Sequence, residues 1–260
     1  MGINKHESAP LDARETESEA ESLTAHPALG PSRSQREAVS SSRMAVFAEA
    51  FWAEGRRRES RLYLFAKRTF DIVVSLVALI LTMPIWIVVA IAIRLESRGP
   101  VIYRQLRSGR NNAPFTMYKF RSMHAGADQY KDELTALNEM DGPVFKIRED
   151  PRVTRVGRFI RRWSLDELPQ LLNVLKGEMT IVGPRPLPVR EVAQLSTHQM
   201  RRQSVRPGLT CIWQISGRNE IPFDEWIQLD LIYIASRSFW LDLEIFFRTF
   251  AAVLKRKGST

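Results

Sequence analysis

The spacing of apolar and polar residues divides the chain into stretches of different character. Residues 1–43 hold almost no aromatic or periodically spaced apolar side chains and are rich in Ser, Glu, Ala and Pro. Such a segment buries too little surface to offset its chain entropy, which predicts a disordered tail. Over 44–65, Phe47, Phe51, Trp52, Leu62 and Phe65 surround the cluster Arg56, Arg57, Arg58. That mixture suits either a helix lying in a membrane interface or a linker. From Ile72 to Ile93 no charge interrupts 22 positions. At the α-helical rise this run is about 33 Å long, enough to cover the hydrocarbon core of a bilayer. The alternative for such a run is the buried core helix of a soluble protein.

Beyond Gly99 the pattern is that of a small soluble domain. Val101–Arg104 and Phe115–Phe120 predict short strands, and Gln129–Met140 an exposed helix. Glu167–Leu175 predicts a short helix ended by Gly177, and Met179–Val182 a strand closed by Gly183 and Pro184. From Trp226 onward, Leu229, Ile232, Trp240, Leu243, Phe247, Phe250 and Leu254 mark an apolar helical stripe ending in Lys255, Arg256 and Lys257. This stripe fits packing on the core and lying in a lipid interface equally well.

Two details argue against a simple membrane crossing. Pro84 sits near the middle of the apolar run, where it removes a backbone bond and bends a helix. Both flanks are basic, with Arg61, Lys67 and Arg68 before the run and Arg94, Arg98, Arg104 and Arg107 after it. The positive-inside tendency places both ends on the cytoplasmic side. A helix broken at Pro84 that enters and leaves by one face satisfies both observations. Its freed backbone groups need partners, for which the Thr82 hydroxyl is a candidate.

Charge and cysteine usage then narrow the function classes. The chain carries a formal charge of +9, and since residues 1–43 are net acidic the basic excess lies in the rest. Such an excess suits nucleic acid, anionic headgroups or a phosphorylated substrate. Cys211 is the single cysteine, which excludes an intrachain disulfide and a multi-cysteine zinc site.

The residues with the most chemistry lie between Asp150 and Pro186. There Asp166 and Glu167 follow a strongly basic segment and precede Gly183-Pro-Arg-Pro186. Ser164 and Glu167 fit a capping box, so the acids could serve only to start a helix. With Ser164 as N-cap, however, Pro169 would fall where its missing N–H is needed. An N-cap at Asp166 avoids that loss and sets Asp166 at the positive end of the helix. Capping and chemistry are compatible at this position. An ionised Asp can attack phosphorus, and a neighbouring Glu can hold Mg²⁺. Arg185, in a Pro-Arg-Pro turn, offers a planar fork to phosphate oxygens, or is simply a surface Arg.

This segment closely resembles the bacterial sugar transferase family, the monotopic phosphoglycosyl transferases that prime exopolysaccharide, O-antigen or glycoprotein glycan synthesis. The resemblance also takes in Lys67-Arg-Thr-Phe-Asp71, the Pro-broken run, Tyr118-Lys-Phe-Arg-Ser-Met123, Arg206-Pro-Gly-Leu-Thr210 and Trp213-Gln-Ile-Ser-Gly-Arg-Asn219. It covers about residues 61–257, with Ser-Leu-Asp-Glu-Leu-Pro-Gln and Gly-Pro-Arg-Pro as its most specific motifs. One departure is Met83, where members of the family often have Ser before the helix-breaking Pro.

The resemblance implies a mostly helical α/β catalytic domain over 99–260 and a re-entrant membrane helix hairpin over 61–98. Residues 1–60 would form a tail with a possible interfacial segment, and amphipathic interfacial helices would complete the fold. It implies that Asp166 is the nucleophile that takes hexose-1-phosphate from a UDP-sugar and releases UMP. Glu167 is then the Mg²⁺ ligand, with Lys119, Arg121 and Arg185 as phosphate contacts. Undecaprenyl phosphate would be the acceptor, at the cytoplasmic face of the bacterial inner membrane.

Three rival classes have less support in the sequence. A nucleic-acid-binding protein is suggested only by the charge, and no recognised motif accompanies it. A non-catalytic membrane scaffold of a polysaccharide assembly complex has no need of the Asp-Glu pair. A metal-dependent glycosyltransferase would release UDP, and the chain lacks a D-x-D motif. Asp242-Leu-Glu244 is expected to be a solvated edge.

Overall fold

The computed structural model describes residues 60–130, 133–140, 142–147, 149–216 and 221–254. The predicted tail, the arginine cluster at 56–58, the Gly217-Arg-Asn219 part of the tryptophan motif and the basic C-terminal residues lie outside these. Within the described part, the elements follow in order as α1 (Arg61–Glu96), β1 (Ile102–Ser108), β2 (Pro114–Phe120), α2 (Arg155–Arg162) and α3 (Gln170–Lys176). Then come β3 (Thr180–Val182), α4 (Val189–Val192), α5 (Thr197–Met200), β4 (Gly208–Thr210), α6 (Ile212–Ser216), α7 (Phe223–Ser236) and α8 (Phe239–Leu254). The architecture is mostly helical, with two small two-stranded sheets: an antiparallel β1–β2 hairpin and a parallel β3–β4 pair.

Helix α1 runs continuously through Pro84 over 36 residues, so the proline does not end it as the sequence predicts. Pro84 cannot donate to the Ile80 carbonyl. Thr82 does not make up that loss, because its hydroxyl donates to Ala78 instead, at 2.7 Å. Nor is α1 a core helix. Its central apolar side chains face outward, with Ile80 71%, Leu81 72% and Met83 64% exposed.

Helix α1 packs on one domain as far as Ala78 and Leu79 and again from Trp86 onward, while Ile80, Leu81, Met83 and Ile85 between them are exposed. Near the start, Phe70 and Val74 join the main core around Leu171, Val174, Ile181 and Val182. Near the finish, Val89 and Ile93 are buried against Phe120 and Ile160, and Trp86 meets Phe120 edge-on at 5.0 Å between ring centroids. Glu96 then accepts from the backbone N–H groups of Arg155 and Val156 at 2.7 and 3.0 Å. A carboxylate there satisfies two of the donors that begin α2 and complements its dipole. Gly157, the next residue of α2, lies so close to Ser122 that an added Cβ would stand 1.9 Å from its carbonyl oxygen.

Polar contacts at the start of α1 tie it to β3. Arg68 donates to the carbonyls of Val174 and Leu175, at 2.7 and 2.8 Å. Asp71 accepts from the Thr180 hydroxyl and the Ile181 N–H, at 2.8 and 2.9 Å. Lys67 Nζ reaches the Val182 carbonyl at 2.9 Å and Asp242 at 2.8 Å. Asp242 is fully buried and also accepts from Tyr63 and Tyr233. It is therefore not the solvated edge expected from the sequence. Glu244 is on the outside, paired with Arg248.

Two other local expectations change. In place of a helix over 129–140, the described residues form 3₁₀ turns at Ala127–Tyr130 and Thr135–Leu137. The C-terminal stripe is divided between α7 and α8. Its members Trp240, Phe247 and Phe250 are exposed, whereas Trp226, Ile227, Leu231, Ile234 and Ile245 supply the buried face.

Because Asp242 is buried, removing its cation by Lys67→Met is expected to cost about 3 kcal/mol of stability. Thermal unfolding in detergent should show the loss, and Lys67→Arg, which keeps the charge, should lose less.

Candidate active site

The two acids reach the site through a sharp local turn. Helix α2 ends at Trp163, and Ser164 takes a left-handed conformation with φ 55°. For a non-glycine residue this costs about 1 kcal/mol. It redirects the chain into the 3₁₀ turn Leu165–Glu167, which leads through Pro169 into α3. Ser164 makes no side-chain capping bond, so the capping box is not formed. Pro169 itself is the N-cap of α3, where its lack of an N–H loses no intrahelical bond. Asp166 is thus placed one turn ahead of α3 rather than at its mouth.

Lys119 and Arg185 converge on this turn from separate elements. Lys119 projects from β2, and Arg185 stands in the Gly-Pro-Arg-Pro turn after β3. Lys119 Nζ lies 3.1 Å from Glu167 Oε1 and 3.8 Å from Asp166 Oδ2. Arg185 forms a two-pronged pair with Glu167, Nη2 to Oε1 and Nη1 to Oε2. Arg202 helps fix that turn: its guanidinium donates to the Arg185 carbonyl at 2.7 Å while paired with buried Asp230 at 2.6 Å.

The predicted residues are therefore brought together with one difference. Asp166, Glu167, Lys119 and Arg185 form a single cluster. Arg121 also lines the adjoining cavity, but its guanidinium donates to the carbonyls of Ser97 and Arg98 and so holds the segment after α1. Four arginines passed over in the sequence, Arg107, Arg152, Arg161 and Arg190, line the same cavity. Arg107 extends from β1 and donates to Gln105 and to the Pro186 carbonyl. Arg161, on α2, donates to the Ser122 hydroxyl at 2.8 Å. The basic segment before Asp166 signalled Arg161, whereas nothing local marked Arg107, which is brought in by the hairpin.

The two carboxylates are electrostatically unequal. Burial raises the Asp166 carboxyl above the ordinary Asp range, Lys119 opposes this, and the neighbouring Glu167 anion adds to it. Burial also acts to raise Glu167, but Arg185 and Lys119 outweigh it and hold this carboxyl well below the usual range. Arg107 is brought down to about 10 by burial and by Arg185, and still carries its charge at neutral pH. Cations thus line a cavity of about 420 Å³ with Asp166 at its wall.

The donor chemistry here bears on which metals fit. Among the described residues, no group of three or more His, Cys, Asp or Glu side chains converges. Zinc, which takes His and Cys ligands in tetrahedral sites, is poorly served. A pair of carboxylates beside a cation-lined cavity does fit Mg²⁺, which binds through one or two carboxylates, waters and substrate oxygens.

The model of the bacterial sugar transferase family matches residues 62–256. This chain belongs to that family. Over 198 residues, 76% of this chain, it is 46% identical to the galactosyl transferase CpsE of Streptococcus agalactiae, covering 44% of that protein. It is 42% identical over 207 residues to the undecaprenyl-phosphate galactose phosphotransferase of Salmonella typhimurium, covering 78% of this chain and 43% of the other. The undecaprenyl-phosphate glucose phosphotransferase of Komagataeibacter xylinus is 43% identical over 205 residues, 75% of this chain and 37% of its own length. The chain thus spans less than half the length of these relatives.

Opposite shifts give opposite pH behaviour. Ionised Asp166 costs folding energy, because its folded pKa lies above the unfolded value. Asp166→Asn is therefore expected to match or exceed the native melting temperature near pH 7.5. That advantage should shrink as pH falls and Asp166 becomes neutral. Glu167 contributes stability above its unfolded pKa that is lost as pH falls towards its depressed folded value. Glu167→Gln should thus be destabilised by about 3 kcal/mol near neutral pH, with a smaller gap below about pH 4. Melting curves between pH 3 and 8 check both signs.

Proposed function

We propose that this chain transfers hexose-1-phosphate from a UDP-sugar to a polyprenyl phosphate such as undecaprenyl phosphate. The products are UMP and a lipid diphosphosugar that primes exopolysaccharide or a related glycan. The observation that carries this reading is the buried Asp166, set beside the Lys119–Glu167–Arg185 cluster at the wall of a cation-lined cavity. A scaffold has no use for such a costly arrangement of buried charge. The names of the relatives from Salmonella typhimurium and Komagataeibacter xylinus support the same acceptor.

In the proposed reaction, an Asp166 carboxylate oxygen attacks the sugar-bearing phosphorus of the nucleotide sugar. A P–O bond forms, the bridging P–O bond to the nucleotide phosphate breaks, and UMP departs with the electron pair. An oxygen of the polyprenyl phosphate then attacks the same phosphorus and displaces the Asp166 carboxylate. Partial withdrawal from water favours this role, because a desolvated carboxylate is less shielded by hydration. Lys119 and Arg185 offer charge-assisted hydrogen bonds to phosphate oxygens, and Arg107 and Arg161 extend the cationic wall. Glu167, with the help of Asp166, would hold Mg²⁺, which when bound neutralises diphosphate charge.

The lipid acceptor demands a site at headgroup level. We read α1 as a re-entrant element whose two ends lie on the cytoplasmic face of the inner membrane. Support comes from the way it packs: residues 67–79 and 86–96 both touch one domain, and Ile80, Leu81, Met83 and Ile85 between them are exposed. A hydrocarbon core about 30 Å thick could not separate two ends anchored in this way. The exposed apolar faces of α8 are read as interfacial.

Rapid mixing of the full chain with Mg²⁺ and a UDP-sugar, without lipid, should give a burst of at most one UMP per site. A covalent mass increase of one phosphosugar should accompany it, and Asp166→Asn should show neither. Turnover that requires both substrates at once, with no adduct in an active preparation, would remove the covalent step. For topology, Arg61→Cys and Arg98→Cys in a Cys211→Ser background should both be labelled from the cytoplasmic side. Labels on opposite sides would rule out the re-entrant reading.

A further inference from the structure

A second charged cluster lies where α1 meets α7 and α8, and the chemistry above makes no use of it. Lys67, Arg68, Arg110, Arg206 and Arg237 line a small cavity together with Tyr63, and Asp71 is the only acidic residue in its lining. These cations come from α1, the turn after β1, the segment before β4 and the junction of α7 with α8. Asp71 is occupied by Thr180 and Ile181, and Lys67 by Asp242. Arg68 faces only the carbonyls of Val174 and Leu175. Arg110 and Arg206 are exposed and make no side-chain hydrogen bond or ion pair among the described residues. Arg110 and Arg206 therefore carry positive charge that no carboxylate pairs with among the described residues.

Its neighbourhood is apolar. The first turns of α1 expose Leu62 and Phe65, and the start of α8 exposes Trp240. Phe70 joins these helices through edge contacts with Phe239 and Phe246, at 5.9 and 5.3 Å between centroids. The arginines thus sit at the border of the surface that is read as lying in lipid. At about 40 Å³, against about 420 Å³ at the active site, the cavity holds little more than one water. A nucleotide sugar is too large for it. A phosphate resting on its rim, between extended guanidinium groups, is not.

We propose that this cluster binds the phosphate of an anionic phospholipid through Arg110 and Arg206, with the acyl chains against the exposed faces of α1 and α8. The charge complementarity is that of a lipid diester with arginines at a membrane border. The proposal rests on the membrane reading of α1 but not on the covalent mechanism. A headgroup held there fixes the depth of the foot of α1, which Lys67 joins to Val182, two positions before the Pro184-Arg185 turn.

The test uses the full chain reconstituted in phosphatidylcholine bilayers containing traces of spin-labelled phosphatidylglycerol or phosphatidylcholine. The fraction of motionally restricted label reports the lipids held by the protein. Phosphatidylglycerol should be preferred several-fold, and Arg110→Gln/Arg206→Gln should weaken that preference by roughly fivefold per arginine, as far as it extends. The control Arg104→Gln/Arg158→Gln, with the same change in net charge, should keep it. If the double variant fails to insert, Arg110→Gln and Arg206→Gln singly should each show part of the loss.

Several results would overturn the proposal: no preference in the native chain, a preference that survives in the Arg110/Arg206 variants, or an equal loss in the control. Displacement of the labelled phosphatidylglycerol by undecaprenyl phosphate would give the site to the acceptor and also overturn it. Absence of any restricted lipid would overturn the membrane reading itself, which separates the two failures.

Discussion

The amine of Lys67 holds together the parts on which this molecule depends. It lies on an apolar helix, pairs with a buried carboxylate on α8, and donates to the last carbonyl of β3. Each partner needs the others. Without the amine, Asp242 would be an uncompensated buried charge, and one such charge is a large fraction of a domain's stability. Tyr233 makes the knot tighter, its hydroxyl lying 2.7 Å from Asp242 and 2.9 Å from the Val182 carbonyl. Asp71 secures the preceding residues of the same strand. Since β3 runs straight into Gly183-Pro-Arg185, the contacts that dock the membrane helix also set where Arg185 can stand.

At the site, the constraint is the burial of two adjacent carboxylates. Two like charges side by side in a poorly hydrated place favour one ionised group and push the other towards protonation. Arg185 and Lys119 decide the asymmetry by pairing chiefly with Glu167. Asp166 is left as the member with the weaker partner, 3.8 Å from Lys119. This division matches a structural or metal-holding role for one acid and a reactive role for the other. The strained turn at Ser164 serves the same end, because it carries Asp166 away from a simple capping position and towards the cavity.

The anchoring of α1 at both ends joins these two themes. Its middle is exposed and apolar, so a lipid environment is the natural solvent for it. Its ends are held by polar groups that need the protein domain. The proposed site, close to such a helix, lies where a water-soluble nucleotide sugar and a membrane-held phosphate could both arrive. On that proposal, the basic surplus of the chain is divided between the cavity beside Asp166 and the Arg110–Arg206 rim.

The apolar run, the short strands near β1 and β2, the short helix after the acids and the nearness of Asp166 and Glu167 to Arg185 can be read from the residues alone. These are legible because local period, turn residues and adjacent motifs lie within a few positions of one another. Lys119 was reachable only through the resemblance of its motif. Other features were decided by tertiary structure alone. Asp242 reads as a solvated edge in its own helix, yet it is buried, because Lys67, 175 positions away, supplies its counter-charge. Arg121 reads as a phosphate ligand, yet its guanidinium is engaged by the carbonyls after α1. Arg107 is brought to the site only by the pairing of β1 with β2 and the contact with Pro186. Pro84 predicts a break that the helix does not make, since a proline removes one bond while the turns on either side keep theirs. Sequence spacing specifies what each segment can form, whereas the state of a charged side chain depends on partners that only the folded chain brings within 3 or 4 Å.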